Sequence, residues 1–191
     1  MPTQIQYALM AAASYISTRP DINKFPTPDY WSIGNKQVDP SGFEAATFTS
    51  GTELVISFAG TYPGKLLGPT NSLGIPVDFV ADLALGVGYS SEQLLQAAQY
   101  YLDRKRENPS ATTITFTGHS LGGGLAALVG VFFGIPAVTF DQAPFANAAQ
   151  SSSFVSNLFN FLVPDVAANL RTDLLAGGYA EAELSPLSNF L

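Results

Sequence analysis

Thr115-Phe116-Thr117-Gly118-His119-Ser120-Leu121-Gly122-Gly123-Gly124 decides how this chain is read. Residues 112–117 alternate β-branched and apolar side chains, as a strand does. Residues 118–124 form a glycine-rich tight turn, and the Ala, Leu, Val and Phe residues of 125–133 suit a helix. Strand, sharp turn and helix in immediate succession are the context in which G-x-S-x-G lifts a serine hydroxyl above the edge of a sheet. The glycines at 118 and 122 leave room where strand and helix converge. The helix N-terminus directs its N–H groups at developing negative charge. A glycine-rich turn without chemistry, or a phosphate-binding loop, is the competing meaning of the same string. The strand before and the helix after favour Ser120 as a nucleophile.

Working outward, residues 136–140 form another short strand, so that strand, helix and strand follow one another with apolar runs. That pattern indicates parallel pairing in a sheet covered on both faces. Upstream, 43–49 and 53–59 are extended runs joined at Ser50-Gly51-Thr52 as a hairpin. A helix opens at Ser90-Ser91-Glu92-Gln93, where Ser90 and Gln93 have capping-box spacing, and stops before Asn108-Pro109. Residues 3–18 suit a first helix ended by Arg19-Pro20, and 20–42, with four prolines, read as an irregular loop. Residues 60–76 are a Gly/Pro-rich loop over a functional face, and 78–85 are a short amphipathic piece. Residues 145–191 contain helical segments and no strand. The expected fold is three-layer α/β with a mostly parallel central sheet, its first two strands antiparallel, incomplete on its C-terminal side. One domain is expected over 1–191: a sheet and elbow core at 1–147 and a helical tail at 148–191. In that tail Phe154, Phe159, Phe161 and Leu162 are either a buried helix face or a candidate lid.

Composition narrows the chemistry. The 191 residues carry a formal net charge of −7 and a pI near 4.4, the opposite of a nucleic-acid footprint. The basic run Arg104-Lys105-Arg106 ends a helix, where it complements the dipole. Without cysteine, disulfides and thiolate zinc sites are excluded, and the single histidine, His119, excludes a multi-histidine metal site. No D-x-[DN]-x-[DN]-G calcium pattern occurs, and no cofactor or metal is called for. The apolar run 9–16 has no preceding Lys or Arg, so it does not read as a signal peptide. Location inside the cytoplasm, or export by a signal outside this chain, both fit. No uninterrupted apolar stretch reaches membrane-spanning length. Charged residues are only 12%, about half the usual ~25%, which suggests a surface that meets lipid, a partner or more of the same polypeptide.

From Gly118 to Ala126 the chain resembles the elbow of class 3 lipases, which are α/β-hydrolases. Val55-Ile56-Ser57-Phe58-Ala59-Gly60-Thr61 is similar to the family's strand ending in an F-R-G-[ST] turn, with Ala59 where Arg is usual. Residues 78–83 resemble the following segment. Val138-Thr139-Phe140, with Pro144 and Asn147 beyond, is similar to the strand after the elbow helix. The likeness spans residues 45–147. It implies acyl transfer on lipid-like esters, with Ser120 as nucleophile and the backbone N–H groups of Leu121 and Thr61 as oxyanion hole.

The residues also show what is missing. A serine hydroxyl needs a general base, usually histidine oriented by a carboxylate, and no histidine follows Ser120. Adjacent side chains on a sharp turn project apart, so His119 is expected to be a partly buried ring bonded to neighbouring backbone. Asp141 stands where some α/β-hydrolases carry their acid, although capping of the turn before Pro144 is the more common role. Asp165, Asp173, Glu181 and Glu183 read as solvated charges. The chain reads as the N-terminal portion of a longer hydrolase, inactive alone, whose open side is covered by self-association or by its own tail. A non-catalytic binding module, or a subunit completed by another chain, is the alternative.

Overall fold

The computed structural model describes residues 1–17, 24–60, 91–141 and 153–191, with side chains of the last helix described from residue 164. Of the loop expected at 60–76 all but Gly60, with the piece at 78–85, Ser90, Pro144, Asn147 and the side chains of Phe154, Phe159, Phe161 and Leu162, lies outside the described residues. Described in chain order are α1 (Gln4–Ala13), β1 (Ser32–Val38), β2 (Glu44–Ser50), β3 (Glu53–Phe58), α2 (Ser91–Glu107) and β4 (Thr113–His119). They are followed by α3 (Leu121–Phe133), β5 (Ala137–Phe140), α4 (Ser153–Ala176) and a closing 3₁₀ helix, Glu181–Phe190.

The strands form one sheet in the order β1-β2-β3-β4-β5. β1 with β2 and β2 with β3 are antiparallel, whereas β3 with β4 and β4 with β5 are parallel. Two successive parallel steps in the same direction, each with a right-handed crossover, put both connecting helices on one face. The packing agrees: Leu94, Tyr101, Leu125 and Phe132 of α2 and α3 share a core with Phe43, Leu54, Ile56, Phe58 and Phe116. On the other face, Tyr7 and Met10 of α1 pack with Ala46, Phe48 and Val55. Successive strand residues serve opposite faces, as the pleat requires. The result is a three-layer α/β arrangement with antiparallel pairing at one side of the sheet and parallel pairing at the other.

Three expectations change. β1 lies inside the expected irregular loop. As an edge strand with mostly exposed residues and an irregular register between Ile33 and Lys36, it lacks an apolar alternation to reveal it. Helix α1 ends at Ala13, well before Pro20. The Ser14 hydroxyl donates to Ala11 O at 2.8 Å, and the backbone of Ile16 and Ser17 is drawn to the Glu44 carboxylate. Glu181 and Glu183 are paired rather than merely solvated. Arg171 binds Glu181, and Arg106 Nε and a terminal nitrogen reach Glu183 at 2.7 and 2.5 Å.

The helical tail joins the α2–α3 side of the molecule. Ala167, Leu170, Leu174, Tyr179, Leu184 and Leu187 are buried in the same core as Phe116, and Phe190 meets Phe132 edge-on at 5.3 Å. Its described packing lies against α2 and α3. Around the rim, the basic residues of α2 stack over tyrosines: Arg104 on Tyr100, Lys105 on Tyr101 and Arg106 on Tyr179. Burial pushes Tyr100 and Tyr101 up to about 12.

Candidate active site

The site forms where β3 and β4 reach their C-terminal ends. Ser120 follows β4 directly with φ 55° and ψ −124°, a conformation that side chains rarely adopt. Its N–H donates to Phe140 O at 3.0 Å, and its carbonyl accepts the first helical bond from Gly124 at 3.2 Å. The strained turn is thus fixed from both sides, by β5 and by α3.

Steric exclusion explains the two flanking glycines. A Cβ on Gly118 would fall within the carbonyl of Gly122, and one on Gly122 within the carbonyl of Phe58. The start of α3 is therefore pressed against the end of β3. Gly60 closes the same crevice: its Cβ would meet the Tyr15 hydroxyl at 2.7 Å, His119 O at 3.0 Å and Leu121 N at 3.4 Å. Leu121, expected as one oxyanion donor, lies beside Gly60, so the end of β3 and the first turn of α3 converge. Thr61, the other expected donor, lies outside the described residues.

His119 is held by side chains rather than by neighbouring backbone, contrary to expectation. The Tyr15 hydroxyl and His119 Nδ1 share a hydrogen bond of 3.1 Å, and Asp141 Oδ2 lies 3.9 Å from Nε2. Both ring nitrogens thus face partners other than Ser120. Asp141, the candidate acid, has φ 43° and a side chain 92% exposed, facing solvent and the imidazole edge. Immediately after the adjacent parallel strands β4 and β5, Ser120 and Asp141 are both non-glycine residues with positive φ.

Two residues of this neighbourhood escaped the sequence reading. Tyr15 stands past the end of α1 with no motif around it. Glu44 is only 3% exposed at the start of an apolar strand. A lone carboxylate heading the run Phe43-Glu44-Ala45-Ala46 was the available signal. Among the described residues no cluster of three or more His, Asp or Glu could hold a metal ion.

Residues 12–153 match the Tle-like phospholipase domain of the phospholipase-like family. The chain belongs to that family. This phospholipase-like domain therefore includes Tyr15, Gly60 and the whole elbow, and it contains the 45–147 segment that resembles class 3 lipases. The extracellular phospholipase A1 of Serratia liquefaciens is 33% identical over 138 residues, which is 72% of this chain and 36% of that protein. The Rhizomucor miehei lipase in its propeptide complex aligns at a TM-score of 0.43 with 17% identity, over 73% of this chain and 51% of that one. The phospholipase-like domain thus spans about a third of the curated relative and half of the solved lipase. Among its described residues no helix is long and apolar enough to cross a membrane.

Proposed function

We propose that the chain carries the nucleophile half of a serine hydrolase that cleaves acyl esters of lipids. The observation that carries this reading is Ser120 at positive φ between a parallel strand and a helix, inside a segment of phospholipase-like sequence. Ser120 Oγ attacks the ester carbonyl, and the carbonyl oxygen becomes an oxyanion facing the N–H groups of Leu121 and Thr61. Such preset donors act where water is excluded, and losing one typically costs ~10²–10³ in turnover. Collapse of the tetrahedral species expels the alcohol and leaves an acyl-serine, which water then releases as the fatty acid.

The proton of Ser120 needs an acceptor. His119, the sole histidine, is engaged by Tyr15 and faces Asp141, so the general base is a group other than this imidazole. Asp141 then acts on the imidazole edge rather than as the acid of the triad. The 191-residue chain alone turns over p-nitrophenyl esters at a small residual rate, supplied by the oxyanion hole. A second reading, a binding module that keeps the elbow without chemistry, is favoured only by the engagement of the sole histidine.

A fluorophosphonate probe with mass analysis tests the reading. Modification of Ser120, abolished in Ser120→Ala, supports it. Robust esterase turnover by the chain alone would show that a base lies within it. A chain that takes no probe even with excess imidazole supplied as base favours the binding module.

A further inference from the structure

Chain segments far apart in sequence meet behind the elbow, and one buried carboxylate joins two of them. Glu44 Oε2 accepts from the N–H of Ile16 at 2.7 Å and from that of Ser17 at 3.3 Å. The Ser17 hydroxyl donates to Oε1. The Glu44 backbone carbonyl accepts from Ala59 N at 2.9 Å, one residue before Gly60. Desolvation makes a carboxylate at this depth costly unless donors surround it. Here the donors come from the residues that follow Tyr15.

Tyr15 is thereby set with its hydroxyl against Gly60 and His119. The Tyr15 hydroxyl and His119 Nδ1 share their hydrogen bond on one edge of the ring, and the Asp141 carboxylate lies 3.9 Å from Nε2 on the other. His119 immediately precedes Ser120, and its carbonyl shares the Gly60 crevice with Leu121 N. A shift of Tyr15 would therefore reach both the serine turn and the donor beside it.

We propose that Glu44 and Tyr15 are positioning residues. Glu44 clamps the segment after α1, and Tyr15 transmits that clamp through His119 to the geometry of Ser120 and Leu121. Neither touches substrate. The consequence for reactivity rests on the serine-hydrolase reading, whereas the effect on elbow geometry does not.

Because His119 is the only histidine, its imidazole nitrogens give unambiguous signals in a long-range ¹H–¹⁵N spectrum. Tyr15→Phe, Glu44→Gln and Ser17→Ala would be compared with the parent chain for the ring signals, the Ser120 and Leu121 amide signals, and the rate of fluorophosphonate labelling. Tyr15→Phe should move Nδ1 by loss of its partner. Glu44→Gln should move the same signals without touching the ring, and Ser17→Ala should do so by less. Labelling should slow by about 10- to 100-fold, the cost of misplacing a reacting group by about 1 Å. If Glu44→Gln fails to fold, Tyr15→Phe and Ser17→Ala carry the comparison. Ring and amide signals that stay in place in folded Glu44→Gln and Ser17→Ala overturn the proposal, as do moved signals with undiminished labelling. Moved signals in a chain whose parent takes no probe even with excess imidazole supplied as base support the clamp and count against the serine reading instead.

Discussion

The elbow and the tail are both fixed firmly, by opposite means. At the elbow the decisive groups are backbone: Gly118 against Gly122, Gly122 against Phe58, and Ser120 N–H on Phe140 O. Side chains are kept out. In the tail, side chains do the fixing: buried leucines at 170, 174, 184 and 187, rimmed by Arg106 with Glu183, Arg171 with Glu181, and Tyr179 donating to Asp103 at 2.9 Å. A region built by excluding atoms has no slack, because one added methyl group has nowhere to go. A region built from ion pairs and apolar contacts yields by degrees. The elbow should respond to single atoms, and the tail to volume, salt and pH.

The largest effect should come from Gly122→Ala. The new methyl would overlap the Phe58 carbonyl, so α3 must move away from β3 or the fold must open. A cost above about 3 kcal/mol follows, at or beyond the usual range for overpacking. Gly178→Ala is the paired control: nothing lies within 4 Å, but φ is +86°. Its cost is the left-handed backbone alone, about 1–2 kcal/mol. Denaturant titration of both variants checks the difference. Equal losses would mean that crowding at the elbow is not what demands its glycines.

Next in size is Leu184→Ala, which empties a fully buried position where the 3₁₀ helix meets the core. Truncations of this kind cost about 2–5 kcal/mol. Because the tail packs on α2 and α3, the His119 ring signals should stay where they are in the folded variant. Movement of those signals would show that tail and elbow are mechanically joined, and the contrast between them would fail.

The same contrast decides what the sequence could show. The elbow was legible because exclusion leaves a signature in the letters: only glycine fits at 118 and 122, and a strand and helix flank them. The hairpin β2–β3, the parallel step into β5 and the apolar helices were legible through periodicity. β1 was not, since an exposed edge strand needs no apolar alternation; its exposed residues include Ser32, Gly34, Asn35 and Lys36. Nor was the early end of α1, because the carboxylate that holds the backbone just beyond it, at Ile16 and Ser17, is 28 and 27 residues away in the chain. The partners of Glu183 and His119 are 77 and 104 residues distant. Local patterns carry no trace of contacts at that range. What sequence reading lost at the site was therefore its support, Tyr15 and Glu44, rather than the serine turn itself.

The smallest expected effect belongs to the ionic rim. The Arg106 guanidinium, with the N–H of Ala180, holds the Glu183 carboxyl down from 4.5 to about 2. A carboxyl depressed in the folded state contributes stability that is fully present above pH 4.5 and is lost as pH falls toward 2. Glu183→Gln should therefore lower the thermal midpoint slightly at pH 7. The gap to the parent chain should close between pH 4.5 and 2. Because Glu183 is partly exposed, high salt should narrow the gap at neutral pH as well. Tyr179 supplies the opposite limb. Burial, then the hydrogen bond to Asp103, pushes it up to about 12, so its contribution is complete below pH 10 and lost as pH rises through 12. The gap between Tyr179→Phe and the parent chain should therefore close as pH rises from 10 toward 12, whereas that of Glu183→Gln should not change there. Thermal melts across both limits separate the two. A Glu183→Gln gap that persists unchanged at pH 2 would mean that the carboxamide disturbs packing, and that the rim contributes through shape rather than charge.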